Sequence, residues 1–386
     1  MFGRIRGIIR RIKKNYRSLN SNIPEVHRKE STVLVMVYSL YGGGAERVAS
    51  ILASGLAERY PVIVACCEKK EREYPLKKGV ETVYCPMFYG SIKAKHRFYA
   101  KFIRRIKKQS NTAVAISFMF TMNRINILSK GREKIICCER NSPLKREPEH
   151  MPIIRKMYAQ ADYVVFQSIL VRDLFDEKVR AHSTILPNPV SVSCRCSAHA
   201  RHRIVNIGRL NPQKNQSMLI RVFARFAELY PEYTLSFYGD GELQPDLEKI
   251  ARELGLQDKV LFHGNSEHVH EEVADAEMFV LSSNYEGLSN ALLECMMMGM
   301  PCISTACEGS VDVIRDGENG LLTEVGNEEQ LLRAMLRLAE DADLRERLGR
   351  AAAETAQRFR KEVVLQQWLS LVEGLMNGGK SLQENS

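Results

Sequence analysis

The stretch Met278–Thr305, MFVLSSNYEGLSNALLECMMMGMPCIST, decides the fold. Its opening run, MFVLSS, is short and apolar between polar flanks, the mark of a buried strand. A glycine-containing loop, NYEGLS, follows and runs straight into the apolar helical stretch NALLECMMM. Gly299 stops the helix, and PCIST starts the next strand. Strand, loop, helix and strand in that order make the βαβ unit of a parallel sheet, which binds ligands at the carboxyl ends of its strands. Two carboxylates, Glu286 and Glu294, fall near that edge. Gly287, Leu288 and Ser289 put amide N–H groups at the helix start, where an anion is favoured. Glu286, just ahead of that start, would repel a phosphate and so should face neutral hydroxyls. Glu294, inside the helix, can accept two hydrogen bonds from vicinal hydroxyls such as a ribose diol. Taken singly, each glutamate reads equally well as an exposed helix acid.

The same alternation extends in both directions. In the first half, strand-like runs occur at Thr32–Ser39, Val62–Cys67, Ala113–Phe118, Lys134–Cys138, Tyr163–Gln167 and Ser183–Leu186, with helical stretches between them, at Ala45–Glu58, 93–109 and 149–160 for example. The pattern pauses at Ser191–Ala200, a small, polar, unpatterned segment, and then restarts with Arg203–Ile207. Helix Gln216–Leu229, strand Thr234–Tyr238, helix Pro245–Leu254 and strand Val260–Phe262 lead to the opening stretch. Asn327–Ala339 and 342–376 read as helices. The result is an α/β chain of two similar halves with a cleft between them, the usual place for a ligand.

At 386 residues, 45% hydrophobic and 26% charged, the chain suits a soluble protein of two domains. No apolar run approaches the roughly 20 residues that span a bilayer, and the N-terminus lacks the apolar core of a secretory signal. The ten cysteines form no CxxC and no zinc spacing, so they read as reduced, buried thiols of a cytosolic protein. Charge is lopsided. Residues 1–190 hold 36 Lys+Arg against 16 Asp+Glu, whereas residues 191–386 hold 20 against 30. No acid occurs from Thr82 to Arg132, where Lys93, Lys95, Arg97, Lys101, Arg104, Arg105, Lys107 and Lys108 cluster. Phe2, Ile5, Ile8, Ile9, Ile12 and Tyr16 recur near helical spacing among basic residues, a pattern of interfacial helices. An anionic membrane surface is the expected partner, with a solvated basic tail as the alternative. No nucleic-acid signature accompanies the charge, and no nucleic acid is expected.

Other motifs lie at strand ends. YGGGAERV follows a strand and opens a helix, so the amides at Gly43 and Gly44 can approach an anion; the dinucleotide fingerprint fails because Arg47 occupies its third glycine position, and GK[ST] is missing. NIGRLNPQKN sets Arg209 and Lys214 where they clamp a diphosphate or are simply solvated. YGDGEL, with Gly239 and Gly241, reads as backbone geometry. FHGNSEH is a strand-end loop in which Gly264 admits a close approach. His263, His268 and His270 read as surface loop histidines, since no carboxylate or thiolate set joins them as metal ligands.

These residues resemble the retaining glycosyltransferases of the GT4 family, which have the GT-B fold of two Rossmann-like domains with parallel sheets facing across a cleft. The resemblance spans roughly 31–370. It is strongest in GRL…QKN, YGDGEL, the FxG loop and EGLSNALLE, an E-x7-E pattern, in family order and spacing; GGAERV and CCERNSP resemble the bacterial subgroup that builds capsule, exopolysaccharide, O-antigen or lipid-linked oligosaccharide. It implies a basic amphipathic segment at 1–30, an acceptor-binding domain at 31–190, a linker at 191–200, a donor-binding domain at 201–354, a helix crossing back to the first domain at 355–376 and a tail at 377–386. By the same resemblance Glu286 contacts the donor sugar, with Arg209 and Lys214 on the diphosphate as its catalytic partners. Glu294 holds the ribose, and Gly43, Gly44, Gly264, Leu288, Ser289 and Asn290 complete the donor site. Glu139 and Arg140, where many members carry a histidine, would bind the acceptor. The implied reaction is retaining transfer of a hexose or N-acetylhexosamine from a nucleotide sugar, UDP-linked, to a lipid-linked saccharide on the cytoplasmic face of the membrane. It needs no cofactor and no metal. A GT-B-fold nucleotide-sugar epimerase and a non-catalytic scaffold of a polysaccharide complex are the alternatives.

Overall fold

The computed structural model describes residues 30–140, 148–197 and 201–378. The basic segment at 1–24, Asn141 beside Arg140, the end of the linker and most of the tail lie outside the described residues. The chain divides into two units. The first contains the residues up to Gln167, Arg172–Leu186 and the chain from Val364 onward; the second contains Ser168–Val171 and Pro187–Val363.

The first unit is built on a seven-stranded parallel sheet of β1 (Thr32–Val37), β2 (Val62–Cys66), β3 (Glu81–Tyr84), β4 (Thr112–Phe118), β5 (Lys134–Cys138), β6 (Tyr163–Phe166) and β7 (Ser183–Ile185), in the order β3-β2-β1-β4-β5-β6-β7. Strand β1, TVLVMV, is buried at every position, because helices cover both faces of a parallel sheet and leave no side to alternate toward water. The last helix, Lys361–Met376, buries Val364, Trp368, Leu371 and Val372 in this unit's core with Val33, Val35 and Leu52.

The second unit has six parallel strands, β8 (Arg201–Ile207), β9 (Thr234–Tyr238), β10 (Val260–Gly264), β11 (Ala276–Leu281), β12 (Cys302–Thr305) and β13 (Leu321–Thr323), ordered β10-β9-β8-β11-β12-β13. Met278 and Phe279 of β11 stand beside Ile204 and Val205 of β8. Both sheets follow the doubly wound order of Rossmann folds. Each was legible except at its margins. Strands β3 and β13, absent from the sequence reading, are short edge strands; β3 is mostly half-buried and carries Glu81 and Thr82, so hydropathy does not mark it.

Two expectations need correction. Lys107, counted in the basic cluster, is buried and paired with Glu133 at 2.7 Å, while its ammonium also donates to Asn126 Oδ1 at 2.7 Å. The cysteines are thiols, eight of them buried, but Cys194 and Cys196 are half-buried. Among the described residues no helix is long and apolar enough to cross a membrane.

Candidate active site

In the second sheet the chain leaves β8 toward β9 and leaves β11 toward β12, on opposite sides. The loops after β8 and β11 therefore leave the sheet side by side at its topological switch point, the position at which such sheets bind ligands. The first loop, 208–215, carries Arg209 and Lys214; the second, 282–289, carries Glu286.

Backbone contacts set the first loop. A Cβ on Gly239 would collide with the Gly208 carbonyl, and one on Gly241 with the Leu210 carbonyl. The amides of Gly208 and Leu210 donate to the carbonyls of Tyr238 and Asp240 at 2.9 and 2.8 Å. YGDGEL thus serves backbone geometry, as its glycines implied. Asn215 adopts left-handed φ and ψ of 50° and 42° at the start of helix Gln216–Leu229, a conformation that asparagine tolerates.

Hydrogen bonds lace the two loops together. Ser282 Oγ donates to the Lys214 carbonyl at 2.9 Å, Asn215 Nδ2 to Asn284 Oδ1 at 3.1 Å, and Gln213 Nε2 to the Tyr285 carbonyl at 3.0 Å. At their junction Lys214 Nζ is ion-paired with Glu286 Oε1. Ser283 Oγ donates to the same oxygen at 2.8 Å, and Gln213 Nε2 approaches Oε2 at 3.4 Å. The carboxylate is thus ringed by donors of the protein itself. Arg209 is exposed, its carbonyl accepting from Gln216 Nε2 at 3.0 Å. Gln213, Ser283 and Asn284 were missed by sequence reading because their polar atoms meet only when the two loops do.

The second loop ends in helix Asn290–Met298. Ser289 caps it, its side chain accepting from the Leu292 amide at 3.4 Å. Asn188 Nδ2 donates to the Leu288 carbonyl at 2.9 Å and to Asn290 Oδ1 at 2.5 Å. From the other side Gly309 abuts Gly287, where a Cβ would overlap the Gly287 carbonyl. Glu294 follows one turn into the helix, buried, with His270 Nε2 3.3 Å from its Oε2. Gly264 closes β10 with φ +69°, and nothing lies within 4 Å of where its side chain would begin.

The three histidines part company. His263 sits in β10 and stacks on Tyr238 with ring centroids 4.5 Å apart, His268 is exposed, and His270 is largely buried beside Glu294. His263 and His268 are both exposed, the first in a strand and not a loop, and His270 is the one that departs from the surface reading. Among the described residues no group of three His, Cys, Asp or Glu could hold a metal ion.

The remaining expected residues belong to the first unit. Gly43 caps helix Gly44–Leu56, and the Glu46 carboxylate folds back against it. An internal carboxylate thus already occupies part of the helix start at which an anion was expected. Glu139 and Arg140 follow β5 and are buried. Tyr158 donates its hydroxyl to Glu139 Oε2 at 2.6 Å. The Arg140 guanidinium lies 5.1 Å from the Phe118 ring centroid and 5.8 Å from that of Trp368, with Nη1 3.5 Å from the Leu186 carbonyl. Burial pulls the Arg140 pKa down, opposed by Cys138 and Glu139. Both side chains are buried in this unit, to the same degree as Glu286 and Glu294 in the other.

Residues 197–355 match the family described as Glycosyl transferases group 1. The GalNAc-alpha-(1->4)-GalNAc-alpha-(1->3)-diNAcBac-PP-undecaprenol alpha-1,4-N-acetyl-D-galactosaminyltransferase of Campylobacter jejuni is 27% identical over 359 residues, covering 89% of this chain and 98% of that protein. The lipopolysaccharide core biosynthesis glycosyltransferase LpsE of Rhizobium meliloti is 35% identical over 170 residues, 44% of this chain and 49% of that one. The Anabaena protein HepE, solved in complex with UDP and glucose, superposes with a TM-score of 0.77 at 18% identity, over 88% of this chain and 99% of that one. With the doubly wound order of both sheets, these likenesses give the chain the GT-B fold, with residues 197–355 matching the group 1 (GT4) glycosyltransferases.

Proposed function

We propose that this enzyme transfers a hexose or N-acetylhexosamine from a UDP-linked sugar to a lipid-linked saccharide, with retention of the donor's anomeric configuration. The observation that carries the reading is the Lys214–Glu286 pair at the switch point of the second sheet, beside the capped start of helix Asn290–Met298. The cation and helix amides match a nucleotide sugar's diphosphate, and the carboxylate its sugar hydroxyls. The bond between anomeric carbon and diphosphate oxygen breaks, an acceptor oxygen bonds that carbon on the same face, and the acceptor proton leaves with the nucleoside diphosphate. Arg209, Lys214 and the amides of Leu288 and Ser289 oppose the charge that builds on the diphosphate. Glu286 accepts from the sugar hydroxyls, and Glu294 from the ribose.

The acceptor class is supported by the Campylobacter relative, whose name specifies a PP-undecaprenol saccharide, and the UDP donor by the HepE complex with UDP and glucose. We place the reaction on the inner face of an anionic membrane. In helix Ile92–Gln109 the side chains of Lys93, Arg97, Lys101, Arg104, Arg105 and Lys108 are exposed and share one face, while Met87 and Ile92, 70% and 73% exposed, precede them. A cationic stripe beside exposed apolar groups suits anionic headgroups over acyl chains. The test is a screen of UDP- and GDP-sugars against polyprenyl-diphosphate saccharides by mass spectrometry. A product one hexose or N-acetylhexosamine heavier, from a UDP-sugar, is expected; turnover of UDP-sugar without acceptor would favour an epimerase instead.

A further inference from the structure

His270 has no role in the reading above, yet it is the imidazole next to Glu294. Its side chain is 12% exposed and that of Glu294 5%. Nε2 lies 3.3 Å from Glu294 Oε2, and Nδ1 lies 3.4 Å from Ser193 Oγ. An ionised carboxylate only accepts, so Nε2 carries the proton and donates. The last torsion of a glutamate is broad and roughly two-fold, so the plane of its carboxylate is set by external donors. A carboxylate that must meet two vicinal hydroxyls at once depends on that plane.

We propose that His270 is a positioning residue: its Nε2–H holds the Glu294 carboxylate in the plane that accepts both ribose hydroxyls of the donor. The inference rests on the reading that Glu294 binds the ribose. His270 touches no substrate; it acts through Glu294, as an outer ligand orients an inner one. Ribose binding is uniform between ground and transition states, so loss of the positioning bond raises the donor KM and leaves kcat unchanged.

The test is calorimetry on the full chain with UDP and with 2′,3′-dideoxy-UDP. His270→Leu should weaken UDP about tenfold, the size of one hydrogen bond to a charged group, while leaving dideoxy-UDP binding unchanged. His270→Gln, whose amide nitrogen reaches the place of Nε2, should restore UDP affinity. His270→Asn, whose amide reaches only the place of Nδ1, should not; it also stands in if the leucine variant fails to fold. A His270→Leu protein that still prefers UDP over dideoxy-UDP by the wild-type ratio overturns the proposal, as does equal loss for both nucleotides. Glu294→Gln separates the two levels. If it leaves the UDP to dideoxy-UDP ratio at the wild-type value, the ribose assignment itself fails; if it collapses that ratio and His270→Leu does not, only the role of His270 fails.

Discussion

Lys214 and Glu286 form an ion pair between two loops that leave neighbouring strands, 72 residues apart in the chain. Their side chains are only 15% and 9% exposed. Removing either member leaves the other charge in a poorly hydrated place, so each conditions what its partner can bind. Under the proposed function a nucleotide sugar would satisfy both, with phosphate for Lys214 and hydroxyls for Glu286. Free UDP supplies only the phosphate.

Substitutions at this pair should therefore separate binding from transfer. Glu286→Gln releases Lys214, so UDP should bind at least as tightly as to the wild type while transfer falls by about a hundredfold or more. Lys214→Ala should lose both transfer and UDP affinity. Calorimetry and a mass-spectrometric transfer assay read the two effects, with circular dichroism checking the fold. Full transfer by either variant would remove that residue from the mechanism.

Chelation gives an independent check on where charge neutralisation comes from. If Arg209, Lys214 and helix amides supply it, saturating EDTA should leave the initial rate of transfer unchanged. A rate abolished by EDTA and restored by Mg²⁺ would assign that role to a metal.

Gly309 bounds the loop that carries Glu286. A side chain there must push the Gly287 carbonyl aside, so Gly309→Ala should cost about 1–3 kcal/mol in urea unfolding and reduce transfer. Gly317→Ala, at an open turn with φ +74°, strains only itself and should spare activity. Equal transfer rates in the two variants would contradict the contact.

The buried pair Lys107–Glu133 predicts a pH dependence of stability. Burial pushes the Lys107 pKa down to about 8, against the raising effect of Glu133. Between about pH 8 and the ordinary lysine value of about 10.4 the unfolded chain holds a proton that the folded one has shed, so stability rises with pH across that window. This contribution is complete above the ordinary value and is lost as pH falls through about 8. Relative to the double variant Lys107→Met/Glu133→Leu, the wild type should gain stability from pH 8 to 10 in urea titrations. A flat difference would show that the lysine titrates normally.

The cationic face of helix Ile92–Gln109 should govern membrane affinity. Reversing Lys93, Arg97 and Lys108 to glutamate should abolish sedimentation with phosphatidylglycerol vesicles at low salt, with no effect on UDP binding in solution. Ile92→Ser should weaken vesicle binding without altering its salt dependence. Undiminished binding by the triple variant would move the membrane contact elsewhere.

Most of the fold was readable because hydrophobic period and strand–helix alternation are local properties. TVLVMV and MFVLSS announce buried parallel strands, and Gly299 announces a helix end. Edge strands β3 and β13 were not readable, because a short strand with one partner needs little apolar surface. The charge census misassigned Lys107, since burial depends on Glu133, 26 positions away in the chain, and not on composition.

By itself the sequence determined two halves of alternating strands and helices and the residue types near their strand ends: Arg209, Lys214, Glu286 and Glu294. Only the tertiary structure decided which of them meet. It paired Lys214 with Glu286, set His270 against Glu294, and buried Glu139 and Arg140. The physical reason is that strand order, not chain order, brings the loops after β8 and β11 together, and hydrogen bonds among side chains some seventy residues apart exist only once those strands are neighbours.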